Sequence, residues 1–191
     1  NDADTAMGDS VTKLNRLLAE LKVSNYTAVR QTIAGEDATD ALDRRDALLS
    51  QISSEVGITV VTRANNDVAV YTDGGVTLFD KSPRTVTLDT SVLGAGVAGN
   101  PVMIDGMPVT GANATMPVHT GNLAGLAALR DEIAPTYQSQ LDEMARGLVS
   151  ALAESDQSGG GGPDLAGLLT WSGGPPLPAA GTVSAGIAGS I

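Results

Sequence analysis

The sequence predicts an α+β fold: an elongated helical bundle of three to four helices with a small antiparallel β module inserted. Three observations predict it. Apolar residues recur every three or four positions at the start of the chain and again after residue 119, the period of helices with one buried face. Between residues 58 and 118 this period gives way to β-branched runs separated by Asn, Asp, Gly and Pro. Of 191 residues, 42% are hydrophobic and 17% charged, enough apolar material for a packed core. The implied organisation is a discontinuous helical rod domain, residues 1–57 and 119–191 with an extended tail, and a β-hairpin module over 58–118.

The elements follow in order. Met7, Val11, Leu14, Leu18 and Leu21 form a heptad seam on a first helix, which serves either its own domain or another chain as an assembly seam. Gly35 ends that helix. A second helix is expected from Asp40, a good N-cap, with Asp43 in its first turn and Leu42, Leu48, Leu49, Ile52 and Val56 as its apolar positions. It stops at Gly57. Residues 58–62 and 68–72 read as strands joined by Ala64-Asn65-Asn66-Asp67, which is hairpin chemistry. Asp73-Gly74-Gly75 turns the chain into a strand at 76–79, and another follows at 85–88. Residues 102–109 form a tight hairpin about Asp105-Gly106, with Pro108 confining its strand to an edge. A long helical pattern begins at Asn122 and runs through Leu123, Leu126, Ile133, Tyr137, Leu141, Met144, Leu148 and Leu152. Pro135 is expected to kink or split it. Ser158 to Gly162 reads as a linker.

Composition excludes several functions. The chain has no cysteine, so disulfides, thiol nucleophiles and zinc–thiolate sites are out. Its net charge of −11, with every segment acidic, opposes nucleic-acid binding. No run approaches the roughly 18 apolar residues of a membrane span. Gly94-Ala95-Gly96-Val97-Ala98-Gly99 matches GxGxxG, but Asn100-Pro101 and a hairpin follow it, where a phosphate site needs a helix N-terminus. The lone His119 has no GxSxG nucleophile elbow to serve. Asp131-Glu132 and Asp142-Glu143 are sequence neighbours and diverge on a helix. Neither an active site nor a cofactor or metal site is expected.

Two arginines carry more information. Arg45 has Ala41, Leu42, Leu48 and Leu49 at helical spacing, and Arg130 has Leu126, Ala127, Ile133 and Ala134. A guanidinium on an apolar face needs a partner or must reach out to solvent. Each precedes an aspartate, Asp46 and Asp131. The expectation is reciprocal pairing across two helices, Arg45 to Asp131 and Arg130 to Asp46, setting their register.

These residues resemble a family. Leu42-Asp43-Arg44-Arg45-Asp46-Ala47-Leu48-Leu49, the run from Val56 to Val61, and Val68-Ala69-Val70-Tyr71-Thr72-Asp73-Gly74-Gly75 are similar to the flagellar hook-associated protein 1 (FlgK) family. The resemblance resumes at Gly121-Asn122-Leu123, Leu129-Arg130-Asp131, Tyr137-Gln138 and Leu141-Asp142-Glu143-Met144, and continues over 162–169. Departures are Glu154-Ser155-Asp156-Gln157, where an Asn-x-x-His step is usual, and Thr170-Trp171 in place of two phenylalanines. The resemblance implies a short-form member, a core fragment without the terminal coiled-coil segments. It implies a structural role, not an enzymatic one: a ring of identical subunits joining hook to filament in the bacterial flagellum. Implied partners are copies of itself, the hook protein and the second hook–filament junction protein, with no nucleic acid and no membrane insertion. Extracellular placement through the flagellar secretion system is implied too. Without the terminal segments the chain is expected to be monomeric in solution. The alternative is an extracellular adhesin or binding module using the β insertion.

Overall fold

A computed structural model describes residues 2–89 and 99–152. Helix α1 runs Asp2–Ala34 and α2 Thr39–Glu55; strands β1 (Ile58–Thr62), β2 (Val68–Thr72), β3 (Thr77–Asp80), β4 (Ser82–Pro83), β5 (Val86–Thr87), β6 (Met103–Ile104) and β7 (Met107–Pro108) follow. The chain then enters α3 (Asn122–Ala128), a π-turn over Leu129–Ile133, and α4 (Ala134–Ala151). The fold is α+β, as the periodicities predict.

Helix α1 ends where its glycine stands. Gly35 takes φ +71°, its N–H donates to the Thr32 carbonyl at 3.2 Å, and Glu36 N–H donates to the Gln31 carbonyl at 2.9 Å. This pair of bonds closes a helix through a left-handed residue that glycine adopts without a Cβ clash. Helix α2 starts one residue earlier than expected, with Ala38 rather than Asp40 at its N-cap. The Asp37 carboxylate accepts from the Thr39 hydroxyl (2.6 Å) and Thr39 N–H (3.0 Å), and these bonds hold it below the usual carboxylate range. Asp40 falls in the first turn, where its charge favours the helix dipole.

The strands form two antiparallel sheets, ordered β1-β2-β3-β4 and β5-β6-β7. The β1–β2 register pairs Ile58 with Thr72 and Thr62 with Val68. Their connection needs two left-handed residues, and Asn65 and Asn66 supply them at φ 58° and 61°. Pro108 lies on β7, an edge strand, where a missing N–H costs no ladder bond.

Pro135 does not break its helix. It falls in the first turn of α4, directly after the π-turn. In a regular α-helix its ring would collide with the carbonyl of Asp131, and the wider turn removes that collision.

The chain divides into two compact units, residues 1–131 and 132–191. This differs from the expected split into a discontinuous helical part and a β module. Both sheets and α1 to α3 share one core: Met7, Leu14 and Leu18 of α1 meet Ile52 of α2, Phe79 of β3 and Leu123 of α3 in a single buried cluster. The GxGxxG run before Gly99, the 158–162 linker and the tail lie outside the described residues.

Candidate functional site

All five positions of the α1 seam are buried within the chain itself. They face α2, α3 and the sheets, so the seam forms this chain's own core and is closed to another chain in this fold. What the structure adds to that core is a set of polar clasps, three built on buried side chains and one at the surface.

The first is built on Arg130, which is 8% exposed. Its Nη1 donates to Asp4 of α1 at 2.9 Å, while Nε and Nη2 fork onto both oxygens of Asp131 at 2.7 and 2.9 Å. Asp131 first, then Asp4, raises its pKa against the opposing effect of burial. A Cβ on Gly99 would overlap this guanidinium, so the glycine backbone closes the pocket over it. The expected partner, Asp46, is instead exposed on α2. The π-turn explains the difference. It turns consecutive residues through a smaller angle than an α-helix does, which lets Arg130 grip its own neighbour.

Arg45 is buried as expected but does not reach Asp131. Its Nη1 donates to the Asn66 carbonyl in the β1–β2 loop, and its Nε lies 3.7 Å from Asp46. A left-handed turn leaves that carbonyl pointing outward, and Arg45 satisfies it. Asn66 Nδ2 also donates to Thr32 Oγ1 at 3.1 Å. Asn25 of α1 holds the same loop, donating to Asp67 Oδ1 at 2.7 Å and accepting from Val68 N–H at 3.2 Å. Three turns earlier, Asn15 pairs with both backbone groups of Val86 on β5, at 2.8 and 3.2 Å. Of the other register residues, Leu42 is half-buried and Asp43 exposed.

Glu55, 2% exposed at the end of α2, forms a clasp that periodicity did not reveal. It accepts from Ser10 Oγ, Lys13 Nζ at 2.6 Å and Asn122 Nδ2 at 3.4 Å, tying α1, α2 and the start of α3 together. Burial pushes its carboxyl upward, but the bonds from Lys13, Ser10 and Asn122 outweigh that, leaving it below the ordinary glutamate range.

The fourth clasp is Asp73, in the turn after β2. Its carboxylate accepts from His119 N–H (3.1 Å), Thr120 N–H (2.9 Å) and Thr120 Oγ1 (2.9 Å). Gly57 bonds both segments, donating to the Thr120 carbonyl and accepting from Asp73 N–H, each at 2.8 Å. Gly121 then passes Val56 so closely that a Cβ would lie 2.7 Å from its Cα, and its φ is +92°. His119 is exposed and joins this clasp through its backbone.

Unlike these clasps, the apolar side of α4 faces outward: Tyr137, Leu141, Met144 and Leu148 are all exposed. Among the described residues no group of three or more His, Cys, Asp and Glu could hold a metal ion, and no helix is long and apolar enough to cross a membrane.

A helix-and-sheet body whose buried charges fasten its own elements together is a scaffold domain. The family is the flagellar hook-associated protein FlgK helical domain: its match covers residues 1–167, and the chain belongs to it. Among solved structures, the flagellar hook junction protein FlgK from Burkholderia pseudomallei shares the fold, with a TM-score of 0.57 and 23% identity over 86% of this chain. This chain spans 31% of that protein's length. No curated protein matches it.

Proposed function

We propose that this chain is part of a structural subunit of the bacterial flagellum, acting where hook meets filament. The observation that carries the reading is family membership over residues 1–167. The clasps support it, because a subunit under torque needs helices and sheets that move as one body. The work is done by interfaces: copies of the chain contact one another in a ring, the hook protein lies on one side and a second junction protein on the other. The 58–118 module faces outward or bridges neighbours. The flagellar secretion system delivers the chain to its extracellular position.

Deleting the encoding gene tests this. The expected outcome is intact hooks, filament subunits shed into the medium and loss of swimming, restored by the gene in trans. Intact filaments with lost surface attachment would favour the adhesin reading instead.

A further inference from the structure

We infer that Arg130 is the lock on a hinge. While it holds Asp4 and Asp131, the helix runs on through the π-turn into α4; when it lets go, residues 131–136 open and the helix breaks there. The lock is worked from α1, because Asp4 lies in that helix's first turn.

The turn is the weak point of its helix. Leu123, Ala127 and Arg130 form a buried row at spacings of four and three, and Arg130 ends it. Every residue from Glu132 to Leu141 is exposed, and the next buried side chain is Asp142. The division between the compact units also falls here, between Asp131 and Glu132. A helical stretch that buries nothing rests on its own propensity, which over about ten residues is marginal in water. Backbone chemistry weakens it further. Pro135 has no N–H to give the Asp131 carbonyl, so the regular ladder is interrupted at that step. The Thr136 hydroxyl donates to the Glu132 carbonyl at 2.7 Å, a back-bond of the kind that bends helices.

What holds the turn closed is the guanidinium. Its fork on Asp131, at 2.7 and 2.9 Å, grips the turn itself, and its 2.9 Å bond to Asp4 fastens the turn to α1. Arg45, on a regular helix, comes only to 3.7 Å from the aspartate that follows it, so the close fork belongs to the wider turn. Two carboxylates share one cation away from solvent, which makes the clasp costly to hold half open. A load or a partner that shifts the first turn of α1 breaks the Asp4 bond and reaches α4 through this one side chain.

NMR relaxation dispersion on the full chain tests the lock. Asp4→Ala removes one of its bonds. Gly99→Ala displaces the guanidinium without touching its charge partners, because a Cβ there would lie 2.3 Å from Arg130 Cζ. Each variant should raise the open population of residues 131–141 by about tenfold or more, the effect of one charge-assisted hydrogen bond. Leu48 and Ile52, buried in α2, should show no dispersion. Pro135→Ala supplies the missing amide and permits a regular α-turn, so adding it to Asp4→Ala should suppress the opening again. Rescue by that second substitution separates a hinge from a clasp that only adds stability. Dispersion spread evenly through the chain, none at the turn in either variant, or opening that Pro135→Ala leaves unchanged would each overturn the lock.

Discussion

Four buried charges, Asp4, Arg45, Glu55 and Arg130, sit on helical seams. Asp4 precedes Met7 by three residues on the α1 seam, and Arg45 and Glu55 fall in the α2 row of Ala41, Leu48 and Ile52. Arg130 continues Leu123 and Ala127. The rule that marks the two arginines, a charge on an apolar face, therefore marks Asp4 and Glu55 as well. Spacing shows that such a group needs a partner, but the partner is a tertiary fact that no period carries. Replacing Arg130 by Met leaves buried Asp4 and half-buried Asp131 with no cation, and should cost about 3–5 kcal/mol in denaturant unfolding. Adding Asp4→Asn and Asp131→Asn should recover much of that loss. Glu55→Gln removes a carboxylate that three donors engage and should cost about 2 kcal/mol at neutral pH. The folded-state pKa of Glu55 is depressed, so its contribution is complete above the unfolded value and fades as pH falls through the folded one. Thermal melts of wild type and Glu55→Gln should converge as pH falls through and below that depressed value. A gap that persists there would place the effect in packing rather than charge.

At the scale of elements, α1 is one helix with two different faces. Its seam is core, whereas its second half shows another apolar row to solvent. Leu18 and Val23 lie only five residues apart, and their substitutions should differ sharply. Leu18→Ala opens a cavity and should cost about 2–5 kcal/mol, while Val23→Ala should stay within about 0.5 kcal/mol. Urea unfolding of the two variants measures this, and a comparable loss for Val23→Ala would mean that its row is covered within the chain. The elements most legible in the sequence are those fixed by local chemistry. Strands β1 and β2, the Asn-Asn turn, the Gly35 stop and the edge position of Pro108 depend on neighbouring residues alone. Less legible are features set by competition between neighbours. Ala38 rather than Asp40 stands at the α2 N-cap while Asp37 bonds Thr39 from just outside the helix, and the π-turn arises because Pro135 and Asp131 cannot share a regular helical turn. The pairing of Arg130 with Asp131 depends on that turn and was hidden with it.

For the whole molecule, the decisive question is which apolar surface remains once the chain has folded. A seam of Met7, Val11, Leu14, Leu18 and Leu21 left open would form a stable coiled coil between chains. It is instead covered by α2, α3 and the sheets, and its loss from the surface removes the strongest self-association element in the sequence. What stays exposed on α1 is three apolar side chains and an arginine, and on α4 a single helix face. Surfaces of that size give transient encounters, and a net charge of −11 adds repulsion between copies at low salt. Sedimentation at micromolar concentration should therefore report one chain per particle. Raising the salt should bring no stable larger species, because screening weakens the repulsion without adding buried area. A stable oligomer at that concentration would show that the outward rows of α1 and α4 hold far more of the assembly energy than their area suggests.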